Sequence, residues 1–185
     1  MCGIIGYIGN KPALPILLEG LRRLEYRGYD SAGLCILNQE GEAFCVRSPG
    51  RIAKLEERLA GLSLQGTAAI SHTRWATHGE PTERNAHPHV DCHNTLAVVH
   101  NGIIENAQAL RSALRRRGHI IRSETDTEVI PHLIEEEYAR TGNLEGAVRR
   151  ALSHLKGSYA LAVLSRHEPE SIIGVRSGSP LVLGS

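Results

Sequence analysis

The stretch CGIIGYIG, Cys2 to Gly9, sets a cysteine directly behind the initiating methionine and follows it at once with a short apolar run. Removal of Met1 by an aminopeptidase would leave Cys2 carrying both a thiol and a free α-amine. The thiolate is the attacking form of cysteine, and a free thiol with a pKa of about 8.5 is only slightly ionised at neutral pH. An α-amine titrates lower, at about 7.7–8.0, so it can take the thiol proton and later return it to a leaving group. N-terminal nucleophiles of this kind are one form of the nucleophile–base pair. Gly3 to Ile8 then reads as a buried strand that starts at the nucleophile. A cysteine at position 2 also arises by chance, so the rest of the chain has to give it meaning.

At 185 residues the chain has room for one domain with a sizeable core, and too little for two ordinary ones. Hydrophobic residues make up 41% and charged residues 22%, the balance of a globular fold rather than a disordered chain. A formal net charge of +1 gives no reason to expect nucleic acid or an anionic membrane as partner. No apolar run approaches the roughly 20 residues of a membrane span. The start has no basic region and its glycines suit a strand, not a signal peptide, so a cytoplasmic location is expected. Cys2, Cys35, Cys45 and Cys92 lie far apart without CxxC spacing, which favours reduced thiols over a disulfide framework.

Aromatic residues are only 4% of the chain, so Leu, Ile, Val and Ala must build the core. Leu14, Leu17, Leu18, Leu21 and Leu24 recur at helical spacing over Pro12 to Leu24, with Pro12 in the first turn. Strands are expected over Ser31 to Leu37 and Ala43 to Val46, joined by a turn. A charged helix, Arg51 to Leu59, closes at Gly61. Thr67 to His72 reads as a strand, and Ala76 to Asn94, interrupted by Gly79, Pro81 and Pro88, as a long loop. A strand from Thr95 to His100 runs into Asn101-Gly102. Helices over Glu105 to Arg117, Thr127 to Tyr138 and Leu144 to Leu155 follow. Tyr159 to Leu164, Ser171 to Val175 and Leu181 to Leu183 close the chain as strands. One domain of strand runs and helix pairs fits layered α+β packing.

Three places could carry chemistry. HTRWATHG, His72 to Gly79, sets Arg74 beside the only Trp of the chain at the end of a strand. A lone arginine is usually a surface ion pair, but its planar fork suits a carboxylate held by two hydrogen bonds, and the adjacent Trp75 favours a binding role. Asn101-Gly102 is first of all a turn signal. The same pair can aim a side-chain amide and a backbone N–H in one direction, as an oxyanion site requires. Asp126, at a helix start, is by default a cap. His87, His89, Asp91, Cys92 and His93 crowd one loop, yet no spacing there fixes four tetrahedral ligands, so no metal is expected. The Arg111, Arg115, Arg116 and Arg117 cluster reads as a solvated helix end. No phosphate-binding glycine loop is present, and no cofactor is expected.

Together these segments resemble the N-terminal glutaminase domains of the glutamine–fructose-6-phosphate aminotransferases, also called glucosamine-6-phosphate synthases. The resemblance rests on CGIIGYIG, EYRGYDSAG (Glu25–Gly33), HTRWATHG, NAHPH (Asn85–His89), HNGIIEN (His100–Asn106), SETDTE (Ser123–Glu128), KGSYAL (Lys156–Leu161) and SGSPLVLG (Ser177–Gly184). It implies an N-terminal-nucleophile hydrolase sandwich, two antiparallel sheets between helix layers. It also implies that residues 1–185 form one glutaminase domain, cut short at its C-terminus, without the sugar-phosphate isomerase domains. By the same resemblance Cys2 attacks the carboxamide of L-glutamine, and Asn101 and Gly102 form the oxyanion hole; the alternative is a catalytically silent fragment of the same fold that only binds glutamine or a partner. Arg74 holds the α-carboxylate, Asp126 the α-ammonium, and Thr77 and His78 help line the pocket. Trp75 sits towards the sugar-phosphate domain, and Arg27 and Gly28 lie near the nucleophile.

Overall fold

Apolar side chains alternate along the strands, and the alternation gives each of two sheets one face for helices and one for the other sheet. The computed structural model describes residues 2–184. Its elements are β1 Gly3–Ile8, α1 Ala13–Leu24, β2 Ser31–Leu37, β3 Ala43–Pro49, α2 Ile52–Leu59, β4 Ala68–Arg74, β5 His89–Val90, β6 Leu96–Ile104, α3 Ala107–Arg116, α4 Val129–Thr141, α5 Leu144–Leu152, β7 Gly157–Ser165 and β8 Ile172–Ser177. The first sheet has the order β1-β4-β2-β3 and the second β5-β6-β7-β8, with every named strand pair antiparallel.

Period-two patterning sorts the side chains into layers. Ala32, Leu34 and Ile36 of β2 pack under α1 and α2 with Leu17, Leu21, Ile52 and Leu55. The intervening Cys35 and Leu37 face the other way, joining Ala68, Ile70, Ala97, Val99, Ala162 and Leu164 between the sheets. On the far side Val98, Leu161 and Val163 meet Leu114, Ile130, Ile134, Leu144 and Val148 from α3, α4 and α5. The result is helices, sheet, sheet, helices, as the α+β sandwich reading requires. The inter-sheet layer is rich in alanine, which lets the sheets approach closely. No described helix is long and apolar enough to cross a membrane.

Five expectations need correction. Asn101-Gly102 is no turn: β6 continues through it to Ile104, because β7 pairs with it as far as Ile104↔Gly157. Gly102 adopts φ +130°, and a Cβ there would lie 2.1 Å from the Ser158 carbonyl oxygen, so only glycine fits. Asp126 does not cap α4, which has Glu128 at its N-cap. The expected loop over Ala76 to Asn94 contains the short strand β5, supported by pairing with Val98 and Ala97. Leu181 to Leu183 form no strand, and Val182 and Leu183 are fully open to solvent. Cys35 and Cys45, directly opposite across β2 and β3, are joined as a disulfide, so only Cys2 and Cys92 are free.

Ile70 is wholly buried in the thin layer between the sheets. Ile70→Ala is expected to cost about 2–5 kcal/mol through lost transfer energy and an unfilled cavity. At roughly 2–4 °C per kcal/mol for a domain of this size, calorimetry should show a melting point lowered by several degrees at least.

Candidate active site

The ends of β1, β4 and β6 bring Cys2, Trp75 and Asn101 together from positions far apart in sequence. β1 runs antiparallel to β4 with Gly3 opposite Thr73, so Cys2 emerges where β4 ends and the Arg74–Trp75 peptide begins. Gly3 N donates to Thr73 Oγ1 at 3.1 Å, fixing that end of the strand. The Trp75 N–H then donates to Cys2 Sγ at 3.2 Å. Burial pushes the Cys2 thiol above its ordinary pKa, and the Trp75 N–H, which favours the thiolate, opposes this only in part. The thiol at rest is therefore protonated at neutral pH and needs a base.

Two residues to which the sequence pattern assigns no role, Asp30 and His72, set this geometry. Asp30 Oδ2 accepts a hydrogen bond from Ala76 N, and Asp30 N donates to Arg74 O at 3.2 Å, so one residue grips the Arg74–Ala76 turn at both ends. His72 points across the inter-sheet layer. Its Nε2 lies 2.8 Å from Asn101 Oδ1 and 3.0 Å from His100 O, two oxygens that can only accept, so Nε2 carries the proton. With Oδ1 thus held, Asn101 Nδ2 must face Cys2, where it donates to Cys2 O at 3.2 Å. The second hydrogen of that amide remains for another acceptor.

The other expected residues lie around this centre. The guanidinium of Arg74 is buried and spends Nη1 and Nη2 on the carbonyls of His78, Gly79 and Glu80, so part of its donor fork holds the loop in place. Burial lowers its pKa, and the negative charges of Asp30 and Asp126 act against that. Asp126 is buried, and its Oδ2 accepts from Ile104 N at 2.8 Å, two residues beyond Gly102 on β6. Thr77 and His78 are exposed on the loop after β4, with His78 Nδ1 3.2 Å from Thr77 Oγ1. Trp75 is half exposed, its ring edge-on to Tyr29 at 5.3 Å. Arg27 ends a short 3-10 turn, and Gly28 follows it. A Cβ on Gly28 would stand 2.7 Å from the Arg74 carbonyl carbon, so this glycine lets the Arg74–Trp75 backbone approach.

Behind the site lies a buried histidine group. His72 stacks on His87, and His87 meets His89 edge-on. Thr127 Oγ1 bridges His87 Nε2 at 2.9 Å and His100 Nδ1 at 2.8 Å, while His89 Nε2 meets Thr125 Oγ1 at 2.9 Å. The segment before α4 is thereby locked to β5 and β6. Burial lowers the pKa of His72 and His89 to about 3 and of His100 to about 4, and that of His87 well below its ordinary value. All four are neutral in the fold but protonate near pH 6.5 when it opens. Their folded pKa values are depressed, so the unfolded chain binds more protons below about pH 6.5. Stability is complete above that pH and falls as the pH drops towards 4, by up to about 1.4 kcal/mol per pH unit for each histidine. Denaturant melts at pH 8, 6.5 and 5 should give midpoints that fall steeply only below 6.5. Equal midpoints at pH 8 and 5 would mean these rings are charged in the fold.

The chain spans about 30% of the length of the curated relatives it matches. It is 55% identical over 184 residues to the glutamine–fructose-6-phosphate aminotransferase of Pyrococcus horikoshii, covering 100% of this chain and 31% of the relative. The enzyme of the same name from Pseudomonas aeruginosa is 53% identical over 184 residues, covering 100% and 30%. Among solved structures, one described as the allosteric regulatory enzyme of purine biosynthesis superposes with a TM-score of 0.80 at 30% identity, over 95% of this chain and 37% of that one. The glutamine phosphoribosylpyrophosphate amidotransferase of B. subtilis gives a TM-score of 0.74 at 31% identity, over 90% and 35%. The two-sheet sandwich is thus shared with these solved enzymes. Residues 72–179, more than half of the chain, match the glutamine amidotransferase domain, and the chain belongs to that family.

Proposed function

We propose that the chain hydrolyses the side-chain amide of L-glutamine to glutamate and ammonia through a Cys2 thioester. The observation that carries this reading is Asn101: His72 fixes its Oδ1 at 2.8 Å, which leaves Nδ2 aimed at Cys2. Once Met1, which lies outside the described residues, has been removed, the α-amine of Cys2 takes the thiol proton. The thiolate adds to the amide carbon, and the oxyanion receives hydrogen bonds from Asn101 Nδ2 and the Gly102 N–H. The protonated amine returns its proton to the leaving nitrogen as the C–N bond breaks, releasing ammonia. Water, deprotonated by the same amine, then cleaves the thioester to glutamate and restores the thiol.

Substrate choice follows from paired charges. Arg74 takes the α-carboxylate with the N–H donors its loop carbonyls leave over, and Asp126 takes the α-ammonium with the oxygen not bound to Ile104. Thr77 and His78 close the pocket side, and Gly28 and Arg27 support the turn beneath. The ammonia would serve glucosamine-6-phosphate synthesis from fructose-6-phosphate in a longer protein, with Trp75 directed towards sugar-phosphate isomerase domains. A cytoplasmic location belongs to the same reading.

Cys2→Ala should abolish glutamate release while calorimetry still detects glutamine, since the charge clamps remain. Clear turnover in that variant would end the assignment. Samples should be checked by intact mass, because general-base assistance is worth about 10²–10⁴-fold and an acylated Cys2 nitrogen cannot supply it.

Arg74→Lys keeps the charge but loses the planar fork, so the cost should fall mainly on KM. Unchanged KM and kcat would leave Arg74 only its role in holding the 78–80 loop.

A further inference from the structure

Apart from the nucleophile, the one free thiol of the described chain is Cys92, just beyond β5, and it does not stand alone. The crowded loop of histidines does not itself converge: His87 and His89 turn to Thr127 and Thr125, and Asp91 closes the turn before β6 by accepting from Thr95 N and Leu96 N at 2.7 and 2.8 Å. Cys92 instead meets His119 from the loop after α3, and His132 and Glu135 from α4, four side chains whose donor atoms all lie within 4.8 Å of one another. Cys92 Sγ is 3.5 Å from His119 Nδ1 and 3.5 Å from His132 Nδ1. The two Nδ1 atoms are 3.2 Å apart, and Glu135 Oε2 is 3.1 Å from one and 3.4 Å from the other.

These five distances match edges of a tetrahedron around a small cation, and the sixth, from Cys92 Sγ to the Glu135 carboxylate, lies within 4.8 Å. Zinc bonds of about 2.0–2.1 Å to nitrogen and about 2.3 Å to sulfur put tetrahedral nitrogens about 3.3 Å apart and sulfur about 3.5 Å from nitrogen. The surroundings also prepare His119 as a ligand. His119 Nε2 is 3.0 Å from Glu136 Oε1, itself held by Arg117 Nη2 at 3.1 Å on its other oxygen. His132 Nε2 faces Glu128 Oε1 at 4.0 Å. The carboxylate on His119 Nε2 keeps the proton there and turns that Nδ1 lone pair inward, the outer-shell pattern of zinc-bound histidine, whereas Glu128 is too far from His132 Nε2 for a hydrogen bond. With His132 bound in the same tautomer as His119, four electron-rich atoms share the single proton of the thiol. A hydrogen-bonded cluster would have to protonate a ring at Nδ1 instead.

We propose that Cys92, His119, His132 and Glu135 bind one zinc ion in a closed tetrahedral site. One thiolate, one carboxylate and two neutral imidazoles suit zinc by softness and balance its charge, so a part-buried site carries no net charge. Binding releases the Cys92 proton, so affinity falls as pH falls. With four protein ligands the site is structural. It ties the turn after β5 and the loop after α3 onto α4, bracketing the 119–128 segment on which Asp126 lies. The inference does not depend on the glutamine reading.

The test is metal binding by the 185-residue chain, stripped with a chelator and titrated with Zn²⁺ or Co²⁺. One equivalent of either should bind, and Co²⁺ should give the near-ultraviolet thiolate-to-metal band with intense visible bands of tetrahedral geometry. Those bands should persist in Cys2→Ala and disappear in Cys92→Ser. Zinc should raise the melting temperature of the unmutated chain, and excess chelator should reverse the rise. Should Cys92→Ser fold poorly, Glu135→Gln provides the second arm, with at least tenfold weaker zinc binding expected. The proposal is overturned if the stripped chain takes up no stoichiometric metal, or if the cobalt bands follow Cys2 rather than Cys92.

Discussion

One hydrogen bond that crosses between the sheets, His72 Nε2 to Asn101 Oδ1, depends on how closely the sheets pack and sets which way the site points. It forms because Ala68 and Ile70 precede His72 on the inner face of β4, and Ala97 and Val99 precede Asn101 on the inner face of β6. Small residues in that layer keep the strands within reach of a single imidazole. Larger side chains there would spread the sheets and free the asparagine to rotate, and an amide that can flip offers oxygen or nitrogen to the nucleophile indifferently. Packing deep in the sandwich thus becomes orientation at its rim.

Electrostatics at the rim rests on burial that hydrogen bonds offset group by group. Arg74 and Asp126 are buried and Asp30 half-buried, and each is tied to backbone: Arg74 to three carbonyls, Asp30 to the Ala76 N–H, Asp126 to the Ile104 N–H. Such backbone partners do not move with side-chain rotamers, so the charges stay in place. The four buried histidines act differently. Kept neutral, they serve as hydrogen-bonding spacers between β4, β5, β6 and the segment before α4, with Thr125 and Thr127 as their partners.

Much of this was legible from residue order. Gly3 to Ile8 and Ser31 to Leu37 have the bounds that their apolar runs mark, and the leucines of α1 fall on the buried side that their spacing gives. Cys2, Arg74, Trp75 and Asn101 were singled out by residue type and neighbours, and they lie together. Asn-Gly misled, because a dipeptide rule for turns knows nothing of β7, whose pairing carries β6 straight through Gly102. Asp126 looked like a cap because the helix signal began beside it, yet its carboxylate found a strand N–H instead. Asp30 and His72 lie inside EYRGYDSAG and HTRWATHG, yet nothing local marks their roles, since each acts on a residue far along the chain.

The sequence by itself determined the layers, through period-two and helical patterning, and the chemistry on offer, through a cysteine at position 2 and unusual clusters of Arg, Trp, His and Asn. Those are local properties, written in neighbouring residues. Only the tertiary structure decided which groups meet: His72 with Asn101, Asp30 with the Ala76 N–H, and Cys92 with His119, His132 and Glu135 rather than with the histidines beside it in the chain. Strand register and sheet spacing fix those meetings to within an ångström, and both come from the summed packing of the whole core, which no short stretch of residues encodes.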